Sequence, residues 1–215
     1  MSKKDHLEFM IEKQLAARGI KDTRVLDAFR RVPRHEFVRA EDQDLAYADS
    51  ALPVGHGQTI SQPLIVALMT QALNLTGRES VLEIGTGTGY QTAILAEMAG
   101  EVFTVEKVAQ LSVEAKKRLQ KLGYRSIHYK IGDGTKGWPE NAPYDAILVT
   151  AGGPQVPPSL YNQLATGGRM VIPAGDSYIQ DLLLLKKTPQ GKETVKLGKC
   201  AFVPLRGAEG WDEED

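Results

Sequence analysis

VLEIGTGTGYQTAILA (Val81–Ala96) sets the architecture of the whole chain. VLEI is a short apolar run of the kind a buried strand uses, and three glycines at alternate positions, Gly85, Gly87 and Gly89, then break any regular period. From Tyr90 the apolar residues return at helical spacing through Leu95 to Met98. A strand that passes through a glycine-rich turn into a helix opens an α/β sheet of the kind that binds ligands at the carboxyl ends of its strands. The same alternation continues downstream. EVFTVE at 101–106 reads as a strand, a helix follows from about Val108 to Lys121, and Gly123 stands at its stop. IHYKIGD (127–133), YDAILVT (144–150) and GRMVIPAG (168–175) supply three further strands, with a helix from Val156 to Leu164 between the last two. Strands alternating with helices imply right-handed crossovers and a mainly parallel, doubly wound sheet. From Asp181, DLLLLKK and TVKLGKCAFVPL follow one another without a helix, which predicts an antiparallel strand pair at one sheet edge.

Toward the N-terminus the pattern is helical. Leu7, Met10, Ile11 and Leu15 share one helix face that should end at Gly19. A second helix is expected from Asp22 or Thr23, with Val25, Leu26 and Phe29 on its inner face and Pro33 as its stop. From Arg34 to Pro63 no period is sustained, which predicts either a long lid or binding loop or a meandering surface loop. The closing GAEGWDEED is acidic and is expected to fray. The chain thus divides into an N-terminal extension with the loop (1–79), an α/β core (80–205) and an acidic tail (206–215).

Length and charge exclude several classes. The 215 residues suit one α/β domain, and 42% hydrophobic with 25% charged residues suffices for a sizeable core. A formal net charge of −1 offers no broad basic field for nucleic acid or an anionic membrane. The single Cys200 cannot form an intramolecular disulfide or a multi-cysteine metal site, so no metal is expected and the thiol reads as inert. No apolar run approaches the roughly 18–20 residues of a membrane span, and MSKKDHLEFM lacks the apolar stretch of a signal peptide. A cytoplasmic monomer is expected.

The glycine loop carries the chemistry. Its spacing is GxGxG, with Tyr90 at the sixth position of the dinucleotide pattern GxGxxG. That disfavours a pyrophosphate on the helix end and favours S-adenosylmethionine, which has no phosphate. Glu106 closes the second strand about 20 residues further on, where a carboxylate accepts ribose hydroxyls. Glu83, at the end of the first strand, is placed to meet a cationic amino group, and Asp133 in GDG (Gly132–Gly134) to hold an adenine amino group.

With these residues in view, the chain resembles the protein-L-isoaspartate (D-aspartate) O-methyltransferases over nearly its whole length, from the N-terminal helices to FVPL near Leu205. The most specific match is GQTISQP (Gly57–Pro63), which looks like that family's active-site loop; DGTKGWPENAPYDAILVTAG, LATGGRMVIPAG and FVPL support it. The resemblance implies a Rossmann-like class I methyltransferase with S-adenosylmethionine as cofactor. Damaged proteins and peptides carrying L-isoaspartyl, and by family D-aspartyl, residues would be its partners. Ser61 would take the active-site position. Ile60, Gln62, Pro63, Glu83, Gly85, Thr86, Gly87, Gly89, Glu106, Asp133 and Gly134 would surround the cofactor. Thr59, Val203, Pro204 and Leu205 would join Ser61 around the peptide.

The implied reaction is methyl transfer to the free α-carboxylate of an isoaspartyl unit. A carboxylate of ordinary pKa, about 3.5–4, is already ionised at pH 7, so no general base is needed, and none stands out. Ser61 would then orient the carboxylate rather than activate it, while His56 reads as a solvated loop residue. Two rivals remain at this level. A methyltransferase for nucleic acid or a small molecule would share the cofactor loop, although LVTAG lacks the Asn/Asp-Pro-Pro-aromatic turn that clamps a flipped base. A nonenzymatic adenosyl-binding module could keep Gly85–Gly89 and Glu106 but would have no use for GQTISQP.

Overall fold

A computed structural model describes residues 2–212. Helix α1 (Lys3–Phe9) is capped by Ser2 and Asp5 bonding reciprocally, and it continues through a π-helical segment, Met10–Leu15, and a 3-10 turn, Ala16–Arg18, to Gly19. Helix α2 (Thr23–Arg31) starts where Asp22 accepts the Arg24 N–H at 2.9 Å. The stretch expected to be an irregular loop holds 3-10 turns at Arg34–Glu36 and Ala40–Leu45 and a small antiparallel hairpin, β1 (Leu52–Gly55) and β2 (Gln58–Ile60). Gly55, His56 and Gly57 all take positive φ at its tip, a conformation that glycine adopts without strain, and His56 is exposed there. The hairpin places β2 directly before helix α3 (Pro63–Leu73), which opens with its proline in the first turn.

The sheet is built from β3 (Ser80–Ile84), β4 (Glu101–Glu106), β5 (Ile127–Ile131), β6 (Tyr144–Val149), β7 (Leu164–Gly175), β8 (Gln180–Thr188) and β9 (Gly191–Cys200). Helices α4 (Tyr90–Ala96), α5 (Ala109–Lys121) and α6 (Pro158–Gln163) make the crossovers. Strand order is β5-β4-β3-β6-β7-β8-β9, with β3 to β7 parallel and β8 and β9 antiparallel, so the expected parallel sheet and edge pair are both present. The two-residue side-chain period divides the core. Val81 packs into a large cluster with the N-terminal helices, α3 and α4, whereas Leu82 and Ile84 face a smaller one around Phe103, Tyr144 and Leu160. Chain order reverses between β3 and β6, which is where an open α/β sheet forms its ligand crevice.

Two expectations at the C-terminus are corrected. Strand β9 does not run on through FVPL, because β8 begins at Gln180, whose register partner is Cys200, and no neighbour remains beyond it. The chain instead turns across the end of β6, where Gly152 N–H donates to Val203 and Leu205 N–H donates to Gly152, each at 2.8 Å. The tail does not fray as far as Asp212. Ala208 N–H donates to Asp133 Oδ2 (2.9 Å), Glu209 N–H to Thr135 Oγ1 (3.1 Å), and the Trp211 indole to the Gly152 carbonyl (2.9 Å). The Glu209 carboxylate receives both Ser159 N–H and Ser159 Oγ, at 2.9 and 2.5 Å. The remaining tail residues, 213–215, lie outside the described residues.

Candidate active site

The turn between β3 and α4 is held from three sides. Thr150, at the end of β6, places its hydroxyl 2.9 and 2.7 Å from the carbonyls of Ile84 and Gly85 and donates to them. Gly85 has φ +93°, and any side chain there would overlap Thr150 Oγ1, so only glycine fits. Glu106 accepts the Gly87 N–H on one carboxylate oxygen and the Val108 N–H on the other, both at 2.9 Å. Arg118 of α5 donates to the Thr88 carbonyl at 2.8 Å.

Beneath the turn lies Glu83, fully buried. Its Oε2 accepts the hydroxyls of Thr92 (2.6 Å) and Thr104 (2.7 Å), while Oε1 is buried without a partner. Burial pushes its pKa up to about 8, against the opposing pull of the two hydroxyl bonds. Thr104 Oγ1 is also 2.6 Å from Thr86 Oγ1, so a chain of hydroxyls links the buried carboxyl to the cofactor loop.

A cavity of about 400 Å³ opens above this turn, within the range of small-molecule sites. Its walls include Gly85, Thr86, Gly87, Glu106, Gly134, Ile60 and Leu205. A second cleft of about 390 Å³ adjoins it, with Asp49, Gln62, Lys199 and Cys200 in its lining. Thr59, Ser61, Thr150, Phe202 and Val203 line both. Ser61 thus stands in the partition between two chambers. The apolar walls and a carboxylate that accepts donors suit a nucleoside with free ribose hydroxyls.

Most of the residues singled out in the sequence converge here, with five exceptions. Gln62 belongs to the second cleft, its amide donating to the Asp49 carbonyl and carboxylate at 3.2 and 2.8 Å. Pro63 is buried in the first turn of α3, and Gly89 packs its backbone against Leu119 of α5. Glu83, expected to meet an amino group directly, reaches the cavity only through Thr104 and Thr86. Asp133, expected at an adenine amino group, turns its carboxylate to Thr135 and Ala208, and these hydrogen bonds lower its pKa.

Comparisons with known proteins show the family. The model of the family described as Protein-L-isoaspartate(D-aspartate) O-methyltransferase matches residues 5–210. The chain belongs to this family. A protein-L-isoaspartate O-methyltransferase of Syntrophobacter fumaroxidans is 54% identical over 203 residues, covering 94% of this chain and 95% of the relative. One from Picosynechococcus is 57% identical over 198 residues, covering 92% and 89%. Among solved structures, a Plasmodium falciparum protein described as a member of the family, in complex with S-adenosyl-L-homocysteine, is 25% identical with a TM-score of 0.80 over 94% of this chain and 98% of that one. The Rossmann-like methyltransferase fold, the methyltransferase activity and S-adenosylmethionine as methyl donor are therefore borne out. No helix among the described residues is long and apolar enough to cross a membrane.

Sequence reasoning missed Thr150, which sits in the LVTAG segment at a strand end, a position that could have marked it.

Proposed function

We propose that the two chambers are the halves of one methyl-transfer site, with S-adenosylmethionine held by the glycine-loop cavity and the isoaspartyl unit of a damaged polypeptide in the adjoining cleft. The observation that carries this reading is Ser61 in the shared partition. When bound, S-adenosylmethionine supplies an electrophilic methyl group on a sulfonium centre. Glu106 would accept the ribose hydroxyls, Gly85, Thr86 and Gly87 would bring the backbone close, and Gly134 with Ile60 would flank the base. Ser61 donates a neutral hydrogen bond that orients the carboxylate without gripping its charge, so that proximity and alignment supply most of the acceleration.

Thr59 and Val203, in the partition, complete the peptide side, whereas Pro204 and Leu205, expected beside the peptide, line the cofactor chamber. The Val203 carbonyl and Leu205 N–H are occupied by Gly152, the Leu205 carbonyl accepts the Trp211 N–H, and Pro204 has no N–H, so this segment offers a peptide backbone little to pair with. Recognition then rests on the misplaced carboxylate more than on strand pairing, which matches a substrate range set by damage rather than by flanking sequence. The reading includes a cytoplasmic monomer that engages no nucleic acid.

The test is transfer of labelled methyl from S-adenosylmethionine to an isoaspartyl peptide and to its normal aspartyl twin. Base-labile label on the isoaspartyl peptide alone is expected; equal labelling of both peptides, or none of either, refutes the reading.

A further inference from the structure

Arg34 is the one fully buried guanidinium described, and the site above does not use it. Its Nε donates to the Ala46 carbonyl and its Nη2 to the Ser61 carbonyl, both at 2.8 Å. The guanidinium carbon lies 4.8 Å from the centroid of the Tyr90 ring, the first residue of α4. Among the described residues no carboxylate pairs with it; the groups that act on it are the phenols of Tyr90, close enough to the guanidinium for a weak hydrogen bond, and of Tyr47, and both Nη1 and the Tyr90 hydroxyl are buried without a well-aligned partner.

Burying a cation without a counter-ion is costly to a fold. A neutral amide could tie two carbonyls together at less cost, so tethering alone does not account for an arginine. The place where the tether ends does. Ser61 stands in the partition, and the Ser61–Gln62 peptide is trans, so with its carbonyl turned to Arg34 its N–H points away from the guanidinium. The group that must approach Ser61 is an anion, which has to be attracted but not clamped. A positive charge one peptide unit behind Ser61 meets both demands, since it acts through a low-dielectric wall while the Ser61 carbonyl occupies its nearest donor.

We propose that Arg34 is a positioning residue for the substrate carboxylate, fixing the Ser61 main chain and supplying from behind the partition the charge that draws the carboxylate into the cleft. This rests on the reading of the Ser61 cleft as the peptide site. The experiment compares the affinity of an isoaspartyl peptide with that of its α-carboxamide counterpart, in the presence of S-adenosyl-L-homocysteine, for the wild type, Arg34→Met and Arg34→Lys. The wild type is expected to prefer the carboxylate by about tenfold or more. Arg34→Met should reduce that preference to about twofold or less and Arg34→Lys should restore most of it, with S-adenosyl-L-homocysteine affinity within about threefold throughout. A wild type without preference, or an Arg34→Met protein that keeps it in full, overturns the proposal. Should Arg34→Met fail to fold, the wild type and Arg34→Lys decide: no preference in the first, or none in the second, overturns it. Ser61→Ala, measured alongside, separates the two readings. Unchanged peptide affinity and turnover in Ser61→Ala would fault the cleft itself, whereas an impaired Ser61→Ala with full preference in Arg34→Met would fault Arg34 alone.

Discussion

Replacing Glu83 by Gln should stabilise the cofactor-free protein at neutral pH, although Glu83 lies in the most characteristic stretch of the chain. Its pKa rises from 4.5 to about 8 because full burial disfavours the charged form. The folded protein therefore keeps a proton that the unfolded chain releases, and stability falls as pH rises from about 4.5 and levels off near 8. At about 1.4 kcal/mol per pH unit, that loss reaches about 3 kcal/mol at pH 7. Glutamine keeps an amide oxygen for Thr92 and Thr104 and cannot ionise. Its amide nitrogen inherits the place of Oε1, which has no partner, and the unmet N–H costs about 1 kcal/mol or more, leaving a net gain of about 2 kcal/mol at pH 7. Urea unfolding of both proteins at several pH values between about 5 and 8 measures the difference. The two stability curves should diverge with rising pH, the variant staying flatter. Parallel curves, or a variant less stable than the wild type at pH 7, would refute the assignment of the pH dependence to Glu83.

Three further outcomes are expected. Ser61→Ala should lower kcat/KM for an isoaspartyl peptide by about 10–100-fold while calorimetry finds S-adenosyl-L-homocysteine affinity within about threefold of wild type, since an orienting hydrogen bond is lost and the cofactor chamber is intact. Glu106→Ala should weaken S-adenosyl-L-homocysteine binding by about tenfold or more, because it removes the proposed ribose acceptor and leaves the Gly87 and Val108 N–H groups without their carboxylate; unchanged affinity would place the ribose elsewhere. Gly85→Ala should lower stability by about 1–3 kcal/mol in thermal or urea unfolding, from the positive φ and the overlap with Thr150 together.

The parallel core was legible because its two signals are local: short apolar strands of the right length, and stretches of helical period between them, one of which stops at Gly123. Gly85 to Gly89 and Glu106 were legible for the same reason, each being a strand end followed by its own turn. The hairpin at Leu52–Ile60 was not, because strands of four and three residues, one carrying Pro53, are too short to establish a period. The tail misled because acidic composition reads as solvated, whereas its anchors are backbone N–H groups and the Trp211 indole, which leave no trace in composition. The contacts of Asp133 were hidden for the same reason, since the partners of its carboxylate include a residue 75 positions further along the chain. Thr150 became a site residue only through the pairing of β6 with β3, and Arg34 only through the packing of an irregular segment behind Ser61. Contacts of that range need the folded topology before they can be read.

The partition formed by Thr59, Ser61, Thr150, Phe202 and Val203 also bears on how turnover is organised in time. Reactants seated in separate chambers need not arrive in a fixed sequence, and direct transfer requires no covalent way-station to carry the methyl group between them. Steady-state rates with both reactants varied should therefore give intersecting rather than parallel reciprocal plots. In the proposed arrangement the methylated polypeptide can depart while the spent nucleoside remains seated, because the two occupy separate chambers that share only the partition.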